Sequence, residues 1–145
     1  MANLTLKDLA SKLKGIDIAF LATKTDNGEI ASRPMSNNGD VEYEGDSYYF
    51  TYEQSRIVSD IRRDKTVTLS FTGKSGIVSG PSFYASVQGK AELITDKAAF
   101  EAHWTKDLDV WFEKGVDTPG LTLVKVHALR ITYWDGSEQG AISVP

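Results

Sequence analysis

Two segments of the sequence carry residue types that suit the binding of a phosphorylated planar ligand. In the run ASRPM (residues 31–35), Arg33 is followed by a proline, which cannot donate to a strand ladder and therefore predicts an edge or a groove. In the second segment, Ser55 and Arg56 open a helix after the aromatic strand 48–51, and a helix N-terminus with a hydroxyl and a guanidinium forms a good phosphate cradle. The simpler alternatives are that Ser55 only caps the helix and that Arg33 is an exposed edge residue.

Other catalytic and metal-binding motifs are incomplete. The run GKS (residues 73–75) resembles the end of a P-loop, but Thr68 stands where that motif needs its first glycine, so we expect a polar turn. Neither GxGxxG nor GxSxG occurs, cysteine is absent, and His103 and His127 lack the local spacing of a metal site. We therefore expect no metal centre, no disulfide and no cysteine nucleophile.

The composition is typical of a soluble globular protein. The 145 residues are 41% hydrophobic and 25% charged, which predicts one packed core and a single domain over residues 1–145. A net charge of -4 argues against an electrostatic interaction with nucleic acid or an anionic membrane. The N-terminal segment lacks the apolar core of a secretion signal and no later run could span a bilayer, so we expect a cytoplasmic protein.

Periodicity and turn residues predict the elements that must position these side chains. Gly89 falls inside a long strand pattern and marks a bulge or a barrel corner, and a short tail follows the turn at residues 135–136. Hairpin connections favour an antiparallel barrel of six or seven strands with flanking helices over a doubly wound sheet. Helices are predicted at residues 5–15, 54–64 and 96–115, and strand patterns at residues 16–24, 30–35, 41–43, 47–52, 66–72, 83–94, 121–126 and 131–134.

Five ordered blocks of sequence carry a family resemblance: ASRPM, YYFTYEQSRIVSDIRRDKTVTLSF, YASVQGKAELITD, HWTKDLDVWFEKGVDTPGLTLVKV and ITYWDG. Together they are similar to the general stress protein branch of the pyridoxamine 5′-phosphate oxidase superfamily, over about residues 6–136. The resemblance implies a mainly β fold with α-helices, the split β-barrel of the type that binds flavin mononucleotide (FMN). It also implies a homodimer with its cofactors in clefts between the subunits.

The resemblance further implies which residues contact the FMN. They come from the strand beside the flavin, from an aromatic-Thr pair with the helix start that holds the phosphate, and from an aromatic and polar set on the partner subunit. Trp111 and Trp134, in the last set, have an alternative role in the core or the dimer interface. In chain order the residues are Arg33, Pro34, Met35, Phe50, Thr51, Ser55, Arg56 and, from the partner, Trp111, Lys114 and Trp134.

The sequence departs from the true pyridoxamine phosphate oxidases at three places. Ile57 and Asn38 stand where those enzymes carry basic residues, and their C-terminal arginine and histidine motif is absent. We therefore do not expect oxidation of pyridoxamine phosphate. The expected function is an FMN-binding stress-response protein, a flavin-dependent oxidoreductase of unknown substrate with a nicotinamide electron donor. The alternatives are a non-enzymatic flavin storage or sensor module, and a barrel that binds haem or a deazaflavin.

Overall fold

Seven strands and three helices are present in a computed structural model of the chain, which describes residues 4–37, 43–73 and 83–145. Two short 3₁₀ turns, Lys106–Val110 and Gly115–Asp117, lie between the last helix and β6. None of the helices in the described ranges is long and apolar enough to cross a membrane. In chain order the elements are α1 Leu6–Leu13, β1 Ile18–Lys24, β2 Ile30–Ser36, β3 Asp46–Tyr52, α2 Arg56–Arg63, β4 Thr66–Thr72, β5 Phe83–Ile94, α3 Lys97–His103, β6 Leu121–Asp135 and β7 Glu138–Ser143.

The strands form one antiparallel sheet in the order β2-β1-β4-β5-β6-β3, with β7 also paired to β6. The 15-residue β6 pairs with β3 through residues 121–127 and with β7 through residues 130–135. This is the antiparallel arrangement with flanking helices that the sequence predicts. It leaves β2 and β3 at the two ends of the strand order.

Of the bulge or barrel corner predicted at Gly89, the bulge is observed. The register between β5 and β6 shifts between Gln88 and Gly89. A Cβ atom at Gly89 would lie 2.5 Å from the carbonyl oxygen of His127 and 3.1 Å from the side chain of Val126. Only glycine fits here without a backbone shift, and the bulge increases the local curvature of the sheet.

Alternating strand residues fill the interior of the barrel. On β1, Ala19, Leu21 and Thr23 are buried, whereas Ile18 and Phe20 face outward. The same alternation runs along β4 and most of β5. The apolar faces of α1 and α2 pack against this interior, so that both helices belong to the main core. This packing fixes the position of α2, whose N-terminus matters for the site.

The long third helix predicted over residues 96–115 is wrong. α3 ends at His103 because Trp104 and Thr105 adopt extended backbone conformations, and a 3₁₀ turn follows. An unbroken helix would carry the later apolar residues away from the sheet at 1.5 Å per residue. The break instead gathers them into a second cluster with residues of β3 and β6: Phe50, Phe100, Leu108, Phe112, Leu121 and Leu123.

Two further differences concern the C-terminal part of the chain. The two closing strands predicted at 121–126 and 131–134 are one continuous strand, β6. The residues predicted as a tail form β7, which returns along β6 after the predicted turn, where Gly136 has a φ of 65°. Residues 41–42 of the predicted strand 41–43, most of the predicted turn 73–75, and Asn38 lie outside the described residues.

Candidate cofactor-binding groove

An open groove of about 530 Å³ lies between the two end strands of the sheet. β2 contributes Arg33, Pro34 and Met35 to its lining, and β3 contributes Phe50 and Thr51. Pro34 pairs with β1 on one side, and within the described sheet no strand pairs with the other side of β2. The edge that the proline predicts is therefore observed, and the groove runs along it.

The third wall of the groove comes from the segment after α3. Leu108, Trp111 and Phe112 line it, and the ring of Phe112 lies 5.1 Å from the ring of Tyr52. The Tyr52 hydroxyl donates to the carbonyl oxygen of Trp111 at 3.3 Å. Trp111 is 66% exposed. Trp111 lines the groove of its own chain. The family resemblance instead assigns this residue to the cofactor site of the partner subunit.

The N-terminus of α2 adjoins the groove at the end where Thr51 lies. The Thr51 hydroxyl donates to the Ser55 hydroxyl at 3.1 Å, and Ser55 is the N-cap residue of α2. The Ser55 side chain makes no capping hydrogen bond, and the first turn of α2 carries no acidic residue. Arg56 follows directly and is exposed. Free backbone N–H groups, the Ser55 hydroxyl and a guanidinium are the donors that a phosphate group needs.

Arg33 is anchored inside the barrel end. One of its terminal nitrogens, Nη1, donates to the carbonyl oxygen of Leu21 at 3.2 Å and to the Thr23 hydroxyl at 2.8 Å. Its other terminal nitrogen, Nη2, lies 3.8 Å from a carboxylate oxygen of Asp60, which is only 2% exposed. The guanidinium is therefore held in one place while its side chain still lines the groove.

The charges around this end of the groove do not balance. Burial lowers the pKa of Arg33, the nearby Asp60 carboxylate raises it, and the positive charge of Arg56 lowers it. Arg63 also contacts Asp60, with 3.5 Å between Nη1 and Oδ1. Two arginines thus contact one buried carboxylate, and the charge of a third, Arg56, acts on Arg33. An anion bound between Arg33 and Arg56 would relieve the repulsion between their charges.

Two of the residues assigned to the partner subunit lie away from this groove in a single chain. Lys114 is exposed and precedes the second 3₁₀ turn. Trp134 is 39% exposed on β6, where it pairs with Tyr84 of β5 and Gln139 of β7. The structure therefore brings together Arg33, Pro34, Met35, Phe50, Thr51 and Trp111 in the lining, with Ser55 and Arg56 beside it.

Several lining residues were not identified from the sequence. Asn37 donates through its side chain to the carbonyl oxygen of Ile16 at 2.8 Å and accepts from the Tyr49 hydroxyl at 3.2 Å. The sequence marks Asn37 only as part of a turn cluster, and Tyr49 only as a strand residue. Asp107 also lines the groove, although its pattern in the sequence is that of acidic surface. The signal in the sequence that could have indicated a role for Asn37 is its position directly after the strand that contains ASRPM.

The two histidines do not form a metal site. His127 Nδ1 lies 2.7 Å from a carboxylate oxygen of Asp46, and the His103 ring stacks on Tyr48 with 3.7 Å between the centroids. Burial, and then the charge of Lys125, lower the pKa of His103 below its usual range. No group of three potential metal ligands occurs among the described residues.

The profile of the pyridoxamine 5′-phosphate oxidase-like family matches residues 5–144. The chain therefore belongs to this family, and the mainly β fold with the split-barrel arrangement predicted from the sequence is confirmed. Among curated protein sequences, none matches the chain closely enough to count as a relative.

Solved structures of similar fold include two that are named after general stress protein 26. The related protein from Clostridium acetobutylicum is 18% identical, with a TM-score of 0.78 over 96% of this chain and 94% of that one. The protein from Bacillus anthracis is 21% identical, with a TM-score of 0.76 over 97% of this chain and 100% of that one. A haem-binding protein from Mycobacterium smegmatis is 15% identical, with a TM-score of 0.76 over 99% of this chain and 60% of that one.

Proposed function

We propose that this protein is a cytoplasmic stress-response protein that binds FMN in the groove and acts as a flavin-dependent oxidoreductase. The observation that carries the proposal is the pairing of a long apolar and aromatic lining with a cationic end. The groove volume of about 530 Å³ suits a cofactor of this size, since ligand cavities commonly measure about 300–1,000 Å³. A planar ring would lie against Pro34, Met35 and Phe50, and the phosphate would lie at Ser55 and Arg56.

Bound FMN would supply the redox chemistry, since its ring accepts and donates a hydride or single electrons. The chain's own residues would bind and orient it. The edge of β2 would approach the ring, Trp111 would shield it from water, and the α2 N-terminus would fix the phosphate. A nicotinamide nucleotide is the proposed electron donor, and the substrate that receives the electrons is not specified by the lining.

A homodimer is part of the proposal because a broad apolar face of the sheet is exposed in one chain. Ile18 and Phe20 of β1 are about half exposed on this face. Tyr84 and Trp134, which pair across β5 and β6, are exposed on the same outward side of the sheet. A second copy packed against this face would bury these side chains. It would also give the exposed Trp134 and Lys114 a cofactor to contact across the interface.

Pyridoxamine phosphate oxidation is not proposed. Ile57, which stands in place of a basic residue of those enzymes, is buried and lines the groove, so this position adds no second positive charge after Arg56. Haem is the alternative ligand that one observation favours, because a structure of similar fold is a haem-binding protein. However, His103 and His127 do not line the groove, so a haem bound there would lack a histidine ligand from the lining.

The test is to identify the ligand and then to measure turnover. Protein purified without added cofactor should be yellow and should release FMN on denaturation; a haem or deazaflavin spectrum would contradict the proposed ligand. The FMN-loaded protein should then oxidise NADH or NADPH in steady state with added electron acceptors, faster than the same concentration of free FMN. An FMN complex with no activity above free FMN would favour the storage or sensor alternative instead.

A further inference from the structure

A buried polar relay links the groove to the middle of α2. Arg33 of β2 donates through Nη1 to the Thr23 hydroxyl of β1 at 2.8 Å. The Thr23 hydroxyl in turn donates to Oδ2 of Asp60 on α2 at 2.7 Å. Thr23 is 1% exposed and Asp60 is 2% exposed. Three separate elements of the fold thus meet at one hydroxyl group.

The direction of this relay follows from the chemistry of its members. A guanidinium has donors only, so the Thr23 oxygen must accept from Arg33. The single hydroxyl proton of Thr23 is then free to go to Asp60, which as a carboxylate can only accept. Thr23 therefore has both of these bonds satisfied with no alternative partner to choose between. Such a relay holds the guanidinium in a defined place, because reversing or rotating any member would break it.

The buried carboxylate of Asp60 ends the relay and is stabilised by several partners. A buried carboxylate is costly unless it is paired and hydrogen-bonded, and Asp60 has Thr23, Arg33 and Arg63 around it. Its charge is thus shared between two arginines. Arg56, one helical turn earlier on the same helix, makes no ion pair with a described residue. The N-terminal end of α2, which adjoins the groove, therefore keeps the positive charge of Arg56.

We infer that Thr23, held by Asp60, is a positioning residue that aims the Arg33 guanidinium at the phosphate group of the cofactor. The inference rests on the proposed FMN site. In it, Thr23 affects binding of the phosphate group through Arg33, without itself contacting the ligand. Nη1 of Arg33 uses its two N–H groups on the protein and Nη2 lies 3.8 Å from Asp60, which leaves the Nε–H and one Nη2–H for an anion. Thr23 sets the angle at which those groups point into the groove.

The test compares FMN with riboflavin, which has the same ring without the phosphate. Thr23→Val removes the hydroxyl and keeps the shape of the side chain, so it should weaken FMN binding about 10-fold, as for the loss of a hydrogen bond to a charged group. Riboflavin affinity should stay within about twofold of wild type. Thr23→Ser restores the hydroxyl and should bind both flavins as wild type does.

Two further variants separate positioning from general damage. In an Arg33→Ala background, Thr23→Val should cause no further loss of FMN affinity, because Thr23 acts through Arg33. Thr122→Val is the matched control, since Thr122 is also buried but its hydroxyl donates to the carbonyl oxygen of Gly120 and to no other residue in the described part of the chain. It should leave the ratio of FMN to riboflavin affinity unchanged.

The outcomes distinguish this inference from the proposed function. If wild-type protein binds neither flavin, the FMN site itself is wrong and the role of Thr23 falls with it. If wild-type protein binds FMN more tightly than riboflavin but Thr23→Val weakens both equally, FMN binding stands and the positioning role is overturned. The positioning role is also overturned if Thr23→Val causes a further loss of FMN affinity in the Arg33→Ala background. It is likewise overturned if Thr23→Val fails to fold and Thr23→Ser folds but loses the preference for FMN.

Discussion

Replacement of Arg56 by alanine is the most direct perturbation of the cationic end of the groove. Arg56 is exposed at the first position of α2, and in the described part of the chain it takes part in no salt bridge. Its removal should therefore cost little stability. If it holds the FMN phosphate with Ser55, the variant loses one charge-assisted hydrogen bond, about 1.5–3 kcal/mol. The affinity for FMN should then fall roughly 10- to 150-fold.

Fluorescence titration of wild type and Arg56→Ala with FMN and with riboflavin gives a complete cycle of four affinities. Riboflavin binding should be nearly unchanged, since the ring contacts proposed for Pro34 and Phe50 remain. Arg62→Ala supplies the matched control, because Arg62 is an exposed arginine on the same helix that pairs instead with Glu53 at 3.5 Å. Its affinity for both flavins should match wild type.

The reasoning is refuted if Arg56→Ala weakens FMN and riboflavin by the same factor. That result would place Arg56 at the ring or in the general structure of the groove, and not at the phosphate. A loss for Arg62→Ala as large as for Arg56→Ala would also contradict it, because the effect would then come from the net charge of α2 rather than from a specific contact.

Three further predictions concern the assembly and the fold. Light scattering with size-exclusion chromatography at micromolar concentration should give twice the chain mass of 15.9 kDa, and a monomer that binds FMN stoichiometrically would refute the shared cleft. Gly89→Ala should lower the free energy of unfolding in urea by about 1–3 kcal/mol because its Cβ meets the His127 carbonyl, and an unchanged midpoint would contradict this. The backbone N–H of Thr5, and then its hydroxyl, lower the pKa of Asp8 below 3.8, so Asp8→Asn should destabilise at neutral pH. That difference from wild type should disappear as the pH falls through the lowered pKa, and a difference that persists in acid would count against the capping box.

The sequence predicts local features of this fold well because their signals are local. The boundaries of β4 and β5 agree with their alternating patterns, and the bulge at Gly89 follows from a glycine inside a strand. The third helix is predicted too long because apolar residues continue at helical spacing past Trp104. In the structure the helix ends before Trp104, and the later apolar residues pack against β3 and β6. Periodicity records which side chains are buried, but not whether the chain between them stays helical.

The sequence also predicts those parts of the groove that have local signals. Pro34 marks the edge strand, and Ser55 with Arg56 marks the helix start, since each has its signal in neighbouring residues. The relay from Arg33 through Thr23 to Asp60 has no such signal, because 37 residues separate Thr23 from Asp60. In the sequence Asp60 is one polar residue on an amphipathic helix, and only the packing of α2 against β1 makes it a buried charge.

The pairing of β3 with β6 has a consequence for the order in which the protein is made. Asp46 and His127 lie side by side although 81 residues separate them, and β3 pairs with no other described strand. During synthesis β1, β2 and β4 can already pair, but β3 has no partner until the ribosome has released β6. One wall of the groove is therefore completed only after most of the chain has emerged. A nascent chain stalled before Leu121 would carry Arg33 and Arg56 without the paired β3 wall of the groove.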